Sequence, residues 1–279
     1  MKFGFVGSYG SAHQILEMAE EAEAAGWDGF FTWDGISIGE TDTFDPWSLL
    51  GALAVKTTKM TLGAMIFPLS RRRPWKVARE AITIDHLSNG RLVIPVGLGA
   101  ADHDGGFSRV SNEVTDRKQR AQLLDETLDI LKLAWTGEPF SYQGEHHKVD
   151  NLVFRPIPVQ QPRIPIWVVA TVPSDKSMSR AAKWDGIVPS FRAHPFEPAS
   201  ADEIREVVTW MREHRENDDP FEVIVEGVTP GDDPAAATTK LQPLANAGAT
   251  WWIESRWDTE RDTPESLLAR IKQGPPIVS

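Results

Sequence analysis

The feature that most constrains this chain is an alternation of short apolar runs with longer stretches of helical periodicity, sustained from end to end. Residues 3–6, 28–32, 61–66, 92–96, 166–169, 186–189, 221–226 and 249–253 read as strands, each short and bounded by turn-forming residues. Helices are predicted between and after them, over 13–25, 46–56, 74–87, 117–135, 175–184, 201–216, 235–247 and 264–273. Stop and start signals fall where they should: Asp45 precedes Pro46, Gly26 closes the first helix, and Asn89-Gly90 closes the third. Eight strand–helix pairs imply a parallel sheet with right-handed crossovers. At 279 residues the chain is close to the ~250 of one closed barrel, so the expected fold is an α/β (β/α)8 TIM barrel. The rhythm breaks once. Residues 140–142 and 147–149 are expected to pair across Gln143-Gly144 as a hairpin inserted before strand five, followed by a stiff connection through Pro156, Pro158, Pro162 and Pro165. No linker is visible, and one domain is expected over residues 1–279.

Composition narrows the function. A net charge of −11 argues against nucleic acid as a partner, which requires a clustered basic face. With no cysteine there are no disulfides, thiolate metal sites or cysteine nucleophiles. The apolar run near the start spans only residues 3–6 and acidic residues follow, so a cytoplasmic protein without a membrane span is expected.

In such a barrel the site lies at the carboxyl ends of the strands. Arg71-Arg72-Arg73-Pro74 ends strand three and opens a helix, a place suited to phosphate or carboxylate; the competing reading is a solvated loop paired with local acids. Gly97-Leu98-Gly99 does not open a helix and has Asp102 where a third glycine would stand. It is therefore read as backbone close to a ligand rather than a nucleotide loop. His103 lies in the loop after strand four, either as a proton shuttle or as a solvated side chain. Glu254 ends strand eight and is expected to face the mouth as a proton donor or hydrogen-bond partner. Glu145-His146-His147 lacks metal-ligand spacing, and no metal site is expected. Trp33, Trp47, Trp252 and Trp257 fall near the mouth and read either as walls for a flat ligand or as barrel-top core.

Four segments carry a resemblance: AEEAEAAGWDGFFTWD, DPWSLLGALAVKTTKMTLG through HLSNGRLVIPVGLG, the run from RAQLLDETLDILKLAW to PVQQPRIPIWV, and RAAKWDGIVP. Together they resemble the bacterial luciferase-like monooxygenases, over roughly two-thirds of the chain. The resemblance implies a flavin-type cofactor in the barrel mouth, either FMN with dioxygen or the deazaflavin F420 as hydride carrier. It implies a non-prolyl cis peptide near Ala64, Met65 and Ile66 that supports the ring, and cofactor contacts at Ala170-Thr171, where many members carry Gly-Gly. The sequence departs from the family where Asp34 is followed by Gly35 instead of histidine, and where Ala100 rather than glutamate follows Gly99. Asp34 and His103 remain as proton-handling candidates. The expectation is a monooxygenase acting with reduced FMN and dioxygen on a small organic substrate, supplied by a separate flavin reductase and assembled as a homodimer. The alternatives are an F420-dependent reductase or dehydrogenase, and a non-catalytic flavin-binding protein.

Overall fold

All eight predicted apolar runs form parallel strands. A computed structural model describes residues 1–99, 106–194 and 197–278. The barrel strands are β1 (Lys2–Val6), β2 (Gly29–Thr32), β3 (Thr61–Ala64), β4 (Ile94–Val96), β7 (Ile166–Val172), β8 (Gly186–Phe191), β9 (Glu222–Gly227) and β10 (Trp251–Glu254). Their order around the sheet is β3-β2-β1-β10-β9-β8-β7-β4. The sheet closes where Val93 N–H donates to the Leu62 carbonyl at 2.9 Å and Phe67 N–H to the Pro95 carbonyl at 2.8 Å. The inserted hairpin is β5 (Phe140–Gln143) with β6 (Lys148–Leu152), antiparallel. It is tied to the helix layer by Glu126, whose carboxylate accepts the backbone N–H groups of Glu145, His146 and His147.

The helices are α1 (Ala12–Ala24), α2 (Pro46–Lys56), α3 (Pro74–Ser88), α4 (Arg117–Ala134), α5 (Asp175–Ala181), α6 (Ala201–His214), α7 (Pro234–Ala247) and α8 (Pro264–Lys272). Their starts are set locally. Asp45 accepts from Ser48 N at 2.9 Å ahead of Pro46, and Ser11 and Ser200 form capping boxes with Gln14 and Glu203. Each such cap stabilises its helix by about 1 kcal/mol. α3 stops at Asn89, which takes a left-handed conformation (φ 55°). Among the described residues, no helix is long and apolar enough to cross a membrane.

Two apolar layers follow from strand alternation. One lies inside the barrel and contains Val6, Phe31, Met65, Val93, Trp167, Val188, Ile224, Trp251 and Ile253. The other, larger layer lies between the strands and the helices. The interior is plugged by rings: Trp167 and Trp251 lie 5.3 Å apart, with Phe31 at 5.9 and 6.2 Å from them. So much aromatic volume needs small neighbours; a Cβ on Gly4 would fall 2.6 Å from the Phe31 ring.

The rim is uneven. β7 and β8 stay paired through six positions, from Trp167↔Gly186 to Val172↔Phe191, which is why both strands run past their predicted ends. β8 and β9 pair only at Gly186↔Glu222 and Ile187↔Val223. β3 is shorter than expected and ends at Ala64.

Candidate functional site at the barrel mouth

Register decides which side chains reach the mouth. Ile224 pairs with Trp251 and Glu226 with Ile253; Ile224, Trp251 and Ile253 all lie in the interior cluster, so Glu226 also points inward, one step higher. The same alternation brings Trp33, Val169, Thr171 and Ser190 inward, Ile66 joins them although it directly follows the inward Met65, and together with Glu226 these are partly exposed where the fully buried interior ends. They mark the mouth. Ile66 and Val169 form an apolar ledge against Gly97, where a Cβ would fall 2.5 Å from Ile66 Cδ1 and 3.2 Å from Val169. Trp33 donates its indole N–H to the Ser8 carbonyl at 2.8 Å and meets Trp257 edge-on at 6.1 Å. Tyr9 also meets Trp257 edge-on, at 6.2 Å, and donates its hydroxyl to the Trp257 carbonyl.

Three polar groups complete the rim. Arg117, at the start of α4, donates to Thr171 Oγ1 at 3.1 Å, and Thr171 N–H donates to Ser177 Oγ at 2.9 Å. The third group is Glu226. Its carboxyl accepts from Ser255 Oγ at 2.8 Å, and burial raises its pKa against the pull of that hydrogen bond. No charged side chain among the described residues contributes to that shift. Sequence reasoning did not single out Arg117, Ser255 or Glu226. The signal for Glu226 was a carboxylate closing the run Val223-Ile224-Val225, but its face required the register.

Comparison with known proteins now places the chain. The family model described as luciferase-like monooxygenase matches residues 2–272. The chain belongs to the luciferase-like monooxygenase family. This family includes F420-dependent and flavin-dependent oxidoreductases. The chain is 26% identical over 183 residues to an F420-dependent glucose-6-phosphate dehydrogenase of Nakamurella multipartita, covering 62% of this chain and 52% of the relative. It is 29% identical over 161 residues to the oxygenase component of a flavin-dependent trigonelline monooxygenase of Acinetobacter baylyi, covering 58% and 44%. The chain thus spans about half the length of the curated relatives it matches. In fold it is similar to the monooxygenase RslO1 from Streptomyces bottropensis, with a TM-score of 0.79 at 16% identity over 98% of this chain and 97% of that one. It is also similar to the coenzyme F420-dependent tetrahydromethanopterin reductase from Methanopyrus kandleri, with a TM-score of 0.76 at 16% identity, covering 98% of each chain.

Within this luciferase-like barrel, the expected cis peptide is present between Met65 and Ile66. Several site expectations need correction. Asp34 does not face the mouth as a free acid. Its side chain is fully buried and is gripped by Arg71 and by Arg72 at 2.9–3.1 Å. Burial raises its pKa, opposed by Arg72 and Arg71. Two of the three arginines expected to clamp an anion are therefore committed to Asp34, and Arg72 also reaches Asp45 at 3.4 Å. Arg73 alone of the three is exposed, at the N-cap of α3.

Glu254 points away from the mouth, because its register partner is Gly227 and not Glu226. It is fully buried and accepts from Thr229 N, Thr229 Oγ1, the Trp252 indole and Arg256, with Arg270 Nε 3.6 Å away. Trp252 lies on the same outer face, fully buried. Trp47 stacks on Phe67 at 4.4 Å within the helix layer. Ala64 and Ala170 likewise direct their side chains outward into that layer. Gly97 and Gly99 are small for the protein's own reasons: Gly97 admits Ile66 and Val169, and Gly99 (φ 67°) lies where a Cβ would strike Pro68 at 2.8 Å. Met65, Ile66, Thr171, Trp33 and Trp257 do lie inside or around the mouth. His103 falls outside the described residues.

Proposed function

We propose that this chain is a flavin-dependent oxidoreductase that uses reduced FMN and dioxygen to oxygenate a small organic substrate. The observation that carries the reading is the mouth itself: an apolar ledge of Ile66 and Val169, aromatic side chains at Trp33 and Trp257, and a cation–hydroxyl pair at Arg117 and Thr171. A flat heteroaromatic ring fits such a ledge, and a monophosphate fits such a pair. Ile66 and Val169 would hold the ring, and Arg117, Thr171 and Ser177 the phosphate. Reduced flavin, when bound, supplies two electrons and the reactivity toward dioxygen; the protein orients it and limits water. The electrons would come from a separate reductase, since Gly97-Leu98-Gly99 opens no helix and no nicotinamide-binding motif stands elsewhere. A homodimeric assembly belongs to the same reading.

The F420 alternative, hydride transfer by a reductase or dehydrogenase, is supported by the similarity to an F420-dependent relative. Its residue-level support was a triple-arginine grip on the acidic tail of that cofactor, and two of those arginines are engaged by Asp34. A non-catalytic flavin-binding protein would share the ledge and show no turnover.

Titration with FMN and with F420, followed by absorbance and fluorescence, tests the reading. FMN is expected to bind the more tightly. Arg117→Ala is expected to weaken FMN at least about tenfold, the scale of one lost charge-assisted contact, and to leave riboflavin unchanged. Binding of neither cofactor would overturn the assignment; tighter binding of F420 would exchange FMN for it.

A further inference from the structure

Glu226 is a mouth-facing carboxyl that the cofactor reading does not use. In a closed ring ordered β3-β2-β1-β10-β9-β8-β7-β4, β9 stands four strands from β3, which leads to Ile66, and two from β7, which carries Val169; β10 stands opposite β4. Whatever lies on that ledge presents its open side toward β9 and β10. There Glu226 and Ser255 are the inward residues above the fully buried Ile224, with Ile253, also fully buried, beside Glu226 in register. Ser255 is itself buried, and its N–H is fixed to the Gly227 carbonyl at 2.9 Å, so its hydroxyl is held in place against Glu226 Oε1.

We propose that Glu226 and Ser255 form the substrate subsite, and that it takes an apolar molecule bearing a neutral hydrogen-bond acceptor, such as a ketone, rather than a phosphate or carboxylate. This rests on the reading that small molecules bind in the mouth. The chemistry follows from what surrounds the carboxyl. An ionised carboxylate on an apolar wall requires a cation or several N–H donors, and Glu226 has one hydroxyl. Burial favours its neutral form. In the neutral form, with Ser255 donating to Oε1, the proton would sit on the other oxygen and be available as a donor. A neutral carboxyl hydrogen-bonds a carbonyl oxygen and polarises the adjacent carbon. Among the described residues an anionic substrate would find no cation beside Glu226 to balance its charge, whereas a ketone leaves its hydrocarbon body on the Trp33–Trp257 side of the mouth.

Infrared difference spectroscopy on the isolated protein tests this without any flavin, with cyclohexanone and cyclohexanecarboxylate as probes. The parent minus Glu226→Gln spectrum at neutral pH is expected to show the C=O stretch of a protonated carboxyl. Cyclohexanone should move that band; cyclohexanecarboxylate should not. Ser255→Ala should keep the band and shift it, and serves for the assignment if Glu226→Gln fails to fold. Cyclohexanone affinity should fall about tenfold in Glu226→Met, which removes the donor, and this equals ~1.4 kcal/mol. Absence of the band, a band that the ketone leaves unmoved, or preferential binding of the carboxylate would each overturn the proposal. FMN titration is a separate measurement, so failure of the subsite and failure of the cofactor reading are told apart.

Discussion

Glu226 and Glu254 close neighbouring strands with nearly the same local sequence, Ile-Val-Glu and Trp-Ile-Glu, yet they occupy opposite chemical worlds. A register offset of one residue separates them: Glu226 lies beside Ile253, and Glu254 beside Gly227. Glu254 enters the layer between strands and helices, where Arg256, Arg270 and the Thr229 N–H and hydroxyl saturate it. Glu226 enters the mouth with a single hydroxyl. Asp34, just after β2 and two strands from β10, repeats the first pattern with Arg71 and Arg72. A carboxyl with its charge fully answered by the fold serves stability; one left unanswered beside an opening is available to a ligand.

The comparison can be broken by mutation. The largest effect is expected from Glu254→Gln, which strands Arg270 and Arg256 in or near the core. The loss should be about 3–5 kcal/mol in urea unfolding, as for other severed buried pairs. A loss under about 1 kcal/mol would remove the structural role assigned to Glu254. Asp34→Asn should cost about 2–3 kcal/mol, less because Arg71 and Arg72 keep some solvent. It should leave riboflavin binding intact; abolished binding in a folded variant would return Asp34 to the mouth.

The smallest effect, and the one with a distinctive sign, belongs to Glu226→Gln. Burial raises the folded-state pKa of Glu226 above its unfolded value. Between those two values the folded protein keeps a proton that the unfolded chain has lost, so stability falls as pH rises through the window. The amide removes that slope. Relative to the parent, the variant should be nearly isostable in acid and gain stability as pH rises above the ordinary glutamate range, measured by urea midpoints at several pH values. A variant that loses ground with rising pH would mean that Glu226 is held as a carboxylate.

These faces were illegible in the sequence for a definite reason. Strands of a parallel barrel are buried on both sides, so Trp251-Trp252-Ile253 reads as one apolar run with no parity to assign. Glu254, Trp252, Ala64 and Ala170 were accordingly expected at the mouth and point the other way. Features encoded within a few residues were readable: the Asp45-Pro46 helix start, the Asn89-Gly90 stop, the hairpin around Gly144, and the eightfold rhythm that fixes the barrel. The Asp34–Arg71–Arg72 cluster joins residues 37 and 38 positions apart, and Arg117 meets Thr171 across 54. Neither distance in sequence announces a contact.

The early parting of β8 and β9 has a further consequence for size. An eight-stranded barrel has a bore only wide enough for its own side chains, and here three aromatic rings already fill it. Above Ile187 and Val223, however, β8 and β9 form no further register pair, while β7 and β8 stay paired up to Val172 and Phe191. A guest in this protein therefore sits above the aromatic plug and not inside the bore, and its size is set by the rim side chains rather than by the diameter of the barrel.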